Sequence, residues 1–130
     1  MKRIASIAAL SVATAACGGS GHSALYASGP SRACLAGKGL RVAAVTSASD
    51  FIASTATGGS FRVTLARNSV TVSFGQTAAD ADNINQAYRG ASAPNVGIDD
   101  VLRQQGNAVM LWHLHPSNTD IATITGCLKS

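Results

Sequence analysis

Phe61-Arg62-Val63-Thr64-Leu65-Ala66-Arg67-Asn68-Ser69-Val70-Thr71-Val72-Ser73-Phe74 is the stretch whose reading decides the fold. Phe61, Val63 and Leu65 alternate with Arg62 and Thr64, and Val70, Val72 and Phe74 alternate with Thr71 and Ser73. Period two is the signature of strands with one buried and one wet face. With Arg67-Asn68 as a two-residue loop, Leu65 meets Val70, Val63 meets Val72 and Phe61 meets Phe74, while Thr64 meets Thr71 on the other side. Asn68 tolerates positive φ, whereas Arg67 suits a type I′ turn poorly. Arg62, Thr64, Thr71 and Ser73 form the expected wet face. They are the candidate interaction surface, set against the plain reading of a solvated sheet face.

Working outward toward the C-terminus, Thr77 is placed to cap a helix, with Asp80 three residues on and Asp80 and Asp82 near the positive end of the dipole. Ala81, Ile84 and Tyr88 share one face of that helix. Past a loop holding Pro94, Ile98, Val101 and Leu102 read as a short helix stopping at Gly106. Ala108–Leu114 is a nearly continuous apolar run, the pattern of a strand buried on both faces. Pro116-Ser117 opens a last helix with Asp120 in its cap and Ile121, Ile124 and Leu128 facing inward. Toward the N-terminus, Leu40 to Thr46 reads as a strand. The segment Ser47–Ser60 is irregular, with Phe51 and Ile52 expected inside and a turn at Gly58-Gly59. Ser31 is the expected cap of a helix carrying Cys34 and Leu35 and ending at Gly37-Lys38-Gly39.

This order predicts an α+β two-layer sandwich, with helices on one face of a mainly antiparallel four-stranded sheet. A parallel placement of Ala108–Leu114 beside the hairpin's second strand would require a right-handed crossover. At 130 residues the chain has room for one domain, placed at 31–130. Hydrophobic residues at 46% and charged ones at 12% exclude a disordered polyelectrolyte, and 5% aromatic content means a core of small aliphatic side chains.

Met1-Lys2-Arg3 is a basic start, and Ile4 to Ala16 runs for thirteen residues of Ile, Ala, Leu and Val diluted by Ser and Thr. That is the pattern of a secretory signal peptide over residues 1–16. Thirteen helical residues span roughly 20 Å against a hydrocarbon core of about 30 Å, too short for a comfortable permanent span. Thr14-Ala15-Ala16-Cys17 resembles the lipobox of bacterial lipoproteins, and Gly18-Gly19-Ser20 resembles the tether that follows it. The resemblance covers about the first twenty residues. It implies cleavage before Cys17, a diacylglyceryl group on the Cys17 sulfur bearing fatty acyl chains such as palmitate, and a tether over residues 17–30. Position 14 is Thr where that family usually carries Leu or another aliphatic residue. Cleavage after Ala13-Thr14-Ala15, which would release a soluble protein, is the competing reading. Losing Lys2 and Arg3 takes the formal charge from +4 to +2. With no Lys/Arg stripe and no interleaved aromatics, nucleic acid is not an expected partner.

Of the three cysteines, lipidation would account for Cys17. Cys34 and Cys127 remain, and in an oxidising compartment they are expected to pair, tying the first helix to the last; two unpaired buried thiols are the alternative.

His113-Leu114-His115 places two imidazoles two residues apart, which on a strand puts them on one side. Zinc would need another ligand, with Asp120 or His22 the candidates; a plain pair at a strand end is the competing reading. Asp99-Asp100 reads as a dipole-favoured helix start. No G-x-S-x-G or S-x-x-K occurs, neither Gly-rich stretch continues as a phosphate loop, and Trp112 belongs to a buried strand. No cofactor is expected. The sequence therefore predicts a membrane-tethered extracytoplasmic protein that binds an envelope or extracellular partner without catalysis. A small secreted hydrolase or metal-dependent enzyme, and an inhibitor of a secreted partner, are the competing classes.

Overall fold

The fold is described by a computed structural model covering residues 25–92 and 97–130. The leader, Cys17, His22 and Pro94, on which several expectations fall, lie outside these described residues. The chain runs through α1 (Ser28–Gly37), β1 (Arg41–Ala43), α2 (Phe51–Ser54), β2 (Ser60–Thr64), β3 (Ser69–Phe74), α3 (Ala78–Ala91), α4 (Ile98–Val101), β4 (Leu102–Gln105), β5 (Ala108–Trp112) and α5 (Asn118–Gly126). The strands form one sheet in the order β1-β2-β3-β5-β4, every neighbouring pair antiparallel. The architecture is α+β, as the periodicities predicted.

The central hairpin forms in a register two residues away from the expected one. Phe61 lies opposite Val72 and Val63 opposite Val70, and the loop is Ala66-Arg67, closed by the Leu65 N–H donating to the Asn68 carbonyl at 2.8 Å. A shift of two keeps every side chain on its face, so Phe61, Val63, Val70, Val72 and Phe74 remain together inside. Asn68 owes its place to its carboxamide and not to a left-handed φ, since no described non-glycine residue has positive φ. Its Oδ1 accepts from the Ser69 and Leu114 N–H groups and its Nδ2 donates to the Leu114 carbonyl, each at 2.9 Å. The turn is thereby fastened to the segment leaving β5.

A fifth strand joins the four expected. Ile98–Val101 makes a single helical turn, after which Leu102–Gln105 extends and pairs with β5 through a two-residue turn at Gly106-Asn107. Gly106 takes φ +55°, a left-handed value for which glycine is suited. Because β4 pairs on the far side of β5, and β3 and β5 are antiparallel, no parallel crossover is present in this sheet.

Helices cover both faces instead of one. On the first face Phe61, Val63, Val70, Val72, Phe74, Ala108, Met110 and Trp112 pack with Leu35 of α1 and with Ile124, Cys127 and Leu128 at the C-terminus. On the second, Val109 and Leu102 pack with Ala81, Ile84 and Tyr88 of α3, flanked by Ile52, Ala56, Ile98 and Leu111. The alternation along β5 assigns the faces: Ala108, Met110 and Trp112 point one way, Val109 and Leu111 the other. The expected caps of α3 and α5 form, with Thr77 accepting from the Asp80 N–H and Ser117 from the Asp120 N–H. Ser31 does not cap α1; it lies buried within the helix, where its Oγ accepts from the Lys129 N–H at 2.9 Å. The expected strand over Leu40–Thr46 shortens to Arg41–Ala43. Cys34 of α1 is disulfide-bonded to Cys127, just past α5, with Cα atoms 5.4 Å apart. The ends of the described chain also meet through the Ala27 N–H and the Lys129 carbonyl.

Two consequences can be measured. Replacing both Cys34 and Cys127 by Ala opens a link across 93 positions and should lower the unfolding free energy by about 2–5 kcal/mol in denaturant titration. Gly75 joins β3 to α3 so tightly that a Cβ there would lie 2.6 Å from both the Ala81 nitrogen and the Thr77 oxygen. Both are backbone atoms that cannot swing away, so Gly75→Ala should destabilise the fold by about 1–3 kcal/mol in the same assay.

Candidate functional site

The second face of the sheet is covered unevenly. Helix α3 lies over β3, β5 and β4, and the single turn of α2 sits against one end of β2 and β3. Beyond them, toward the β2–β3 turn, the face is open. Register places its residues directly. Arg62 lies opposite Thr71, which lies opposite Leu111. In the next row Arg41 is opposite Thr64 and Thr64 opposite Ser69, and the His113 N–H continues the ladder to the Ser69 carbonyl at 2.9 Å. Directly opposed residues share a face, so Arg41, Arg62, Thr64, Ser69 and Thr71 project together.

Within this open half is a recess of about 210 Å³ lined by Arg62, Ser69, Thr71, Leu111, Trp112 and His113. Arg62 Nη2 donates to Ser69 Oγ at 3.1 Å, which orients the guanidinium across the strand pair. None of the lining residues is acidic. The Arg89–Asp99 ion pair and the His115–Asp100 contact lie elsewhere.

The four residues expected on the wet face are thus divided. Arg62 and Thr64 are exposed, whereas Thr71, which lines the recess with Arg62, is buried at 9% exposure and is not the wet-face residue expected. Ser73 is fully buried beneath the second helical layer and is no part of an accessible surface. Polar alternation signalled the face; it could not signal that a helix would lie over one end of it. Ser69, His113 and Arg41 are additions to the predicted surface, traceable in the sequence only once the register is fixed.

The two histidines follow β5 instead of sitting on it, so strand alternation does not bring them together. His113 faces the recess on the sheet, whereas His115 Nδ1 is 2.5 Å from Asp100 Oδ1. His115 and Asp120 line a different hollow of about 360 Å³ with Asn68, Leu114, Ser117 and Thr119. Among the described residues no group of three or more His, Cys, Asp or Glu is arranged to hold a metal ion. A carboxylate on Nδ1 is the arrangement that orients a catalytic imidazole, but a nucleophile must then meet the other nitrogen. Ser117 Oγ caps α5 by accepting from the Asp120 N–H at 3.1 Å, and no described hydroxyl is hydrogen-bonded to His115.

A third hollow of about 310 Å³ separates α2 from α3 and is lined by Phe51, Ile52, Ala56, Ile84 and Ala87 among others. Phe51, expected inside, is 69% exposed at its rim. The inward partner of that region is polar. Asp50 caps α2 by accepting from the Ala53 N–H at 2.9 Å, and its second oxygen accepts from the Tyr88 hydroxyl at 2.7 Å. Burial, reinforced by this bond to a carboxylate, pushes the Tyr88 hydroxyl's pKa well above the ordinary tyrosine value.

Comparison of the chain with protein-family models, with curated proteins and with solved structures found no match.

The Tyr88 environment makes a pH prediction. A phenol whose pKa is raised by folding contributes stability that is complete below pH about 10 and is lost as pH rises through the higher folded value. Unfolding free energy should therefore fall above pH 10, and Tyr88→Phe should remove that component of the slope. The substitution should also cost about 1–3 kcal/mol at neutral pH in denaturant titration.

Proposed function

We propose that this chain is an extracytoplasmic binding module, tethered to a membrane through a lipid on Cys17, that recognises its partner with the open half of its sheet and carries out no chemistry of its own. The observation that carries the reading is the Cys34–Cys127 disulfide. Structural disulfides persist in oxidising compartments, and this pairing leaves Cys17, at the end of the lipobox-like tetrapeptide, as the remaining cysteine. Anchoring of this kind needs no protein span. Among the described residues no helix is long and apolar enough to cross a membrane. Each buried methylene contributes about 0.8 kcal/mol, and two or more acyl chains hold stably where one binds marginally.

Binding is favoured over catalysis by the make-up of the open face. Its side chains stand on the paired strands β2, β3 and β5, whose backbone bonds fix their positions. Arg62, Ser69 and Thr71 offer hydrogen bonds, while the imidazole that does have a carboxylate partner, His115, has no hydroxyl to activate among the described residues.

In cells, Cys17→Ser should move the protein from the membrane to the soluble fraction or leave it with an intact leader. Mass spectrometry of the protein with its native Cys17 should find a lipid-bearing N-terminal Cys17. A free Cys17 thiol on the native protein would overturn the tether.

A further inference from the structure

We infer that the recess on the open sheet face is an oxyanion site, taking a small carboxylate- or phosphate-bearing ligand between Arg62 and His113. The inference rests on the binding-module reading for its choice of face and on the tether for preferring a small solute to a membrane surface, while the anion-binding donors themselves need no lipid on Cys17.

The first support is an imbalance of charge. All six acidic residues of the chain are aspartates, and each is placed away from the recess. Asp50 holds Tyr88 and the α2 cap, Asp80 accepts from Thr57, Asp82 from Gln104 and Asp99 from Arg89, while Asp100 meets His115. Asp120 lies in the first turn of α5 and lines the separate hollow beside His115. Arg41 and Arg62 thus share one sheet face, two strands' neighbours, with no carboxylate paired to either among the described residues. An isolated surface arginine needs no partner, since water serves it. Arg62 beside His113 in a concavity free of acids, with Arg41 on the same face outside it, creates a local positive potential that an anion would relieve.

The second support is the arrangement of donors. A guanidinium has five N–H donors in a rigid fork suited to carboxylate and phosphate oxygens. Arg62 places one nitrogen on Ser69 Oγ, which fixes the fork and leaves its other donors available. Because Ser69 Oγ accepts that bond, its own proton is free to donate to a ligand. The exposed His113 supplies an imidazole, and Thr71, at 9% exposure, lines the recess with a second hydroxyl, with Leu111 as an apolar neighbour. At about 210 Å³ the recess holds roughly seven waters' worth of volume, enough for an oxyanion group and a short body.

Position distinguishes a small solute from the membrane surface. The chain enters the domain at Tyr26, held by Asn107 at the start of β5, whereas the recess lies at Leu111–His113 at the other end of that strand. With about 3.4 Å per residue the two are separated by roughly 15 Å. The site is thus at the end of the sheet away from the tether's attachment.

The test is an NMR titration of the isotope-labelled full chain with inorganic phosphate, separately with citrate, and with vesicles of phosphatidylcholine and phosphatidylglycerol. Saturable shifts of the Ser69, Thr71 and His113 amides with either small anion are expected. Arg62→Gln should weaken them roughly tenfold, Arg62→Lys should retain part of the affinity, and Arg67→Gln, outside the recess, should change nothing. Preserved amide dispersion checks that each variant is folded, and Arg41→Gln supplies a second reading of the same charge. Non-saturable shifts scattered over basic residues, or equal affinity in Arg62→Gln, would overturn the assignment. Vesicle binding without a response to either anion would also overturn it and give the face to a lipid surface. A free Cys17 thiol alongside saturable anion binding would sink the tether and leave the site standing.

Discussion

The structure depends on β3 and β5 being enclosed on four sides. Each has a hydrogen-bonded strand at either edge and helix-borne side chains above and below. With few aromatics available, this enclosure is built from Val70, Val72, Ala108, Val109 and Met110, supported by the tilted Phe61–Phe74 pair at 5.6 Å between ring centroids. Small aliphatic groups bury little area each, so stability comes from covering both faces of the same strands. The cost is that polar residues on those strands are enclosed as well. Ser73 is fully buried beneath α3, and Trp112 Nε1, buried on the opposite face, has no hydrogen-bond partner among the described residues.

The ends of this enclosure are held by different chemistry. Asn107, 1% exposed, closes the β4–β5 turn with every polar atom of its side chain engaged. Its Oδ1 accepts from the Tyr26 N–H, and its Nδ2 donates to the Tyr26 and Gly75 carbonyls. The Gly75 N–H in turn donates to the Asn107 carbonyl. A buried amide so fully satisfied fixes geometry without leaving an unpaired group. It joins the entering chain, the β3–α3 corner and the last hairpin at one point. At the opposite side of the first core the disulfide and the Ser31–Lys129 bond hold α1 against the C-terminal segment. The chain's entry point is therefore set by Asn107 and closed by the cysteines.

Local patterns in the sequence carried much of this, and its failures have physical causes. Strict alternation made β2 and β3 legible, and a capping threonine with Ala81, Ile84 and Tyr88 made α3 so. The hairpin register was not legible, because a shift of two preserves every buried face and leaves only the turn to decide. There the Asn68 carboxamide, bonded to Leu114 forty-six positions away, outweighs any turn preference. Strand β4 was hidden because Leu102-Arg103-Gln104-Gln105 has a single apolar residue, as an edge strand can, while Ile98, Val101 and Leu102 fit a helical spacing. Its Gly106-Asn107 turn was the available signal. For the candidate site, Arg62 was legible as an outward residue of a strand, and Thr71 as its neighbour on the same face, though not its burial. Ser73 was misplaced because one sequence period cannot reveal which part of a face a later helix will cover.

The same geometry explains why an open half exists. Helix α3 has 14 residues and a diameter of about 10 Å, whereas five strands at about 4.8 Å spacing present a face nearly twice as wide. One helix covers β3, β5 and β4; α2, four residues long, is too small to cover the remainder. Exposure accounts for polar residues on β1 and β2, and an edge strand benefits from a charge such as Arg41 as protection against unwanted pairing. Neither requirement specifies sign. Aspartate would serve both purposes, yet the aspartates stand on the helices and loops, while the open strands carry Arg41 and Arg62 with hydroxyls between them. Openness follows from the dimensions of the fold; the uniform positive charge within it is the feature that an anionic ligand explains.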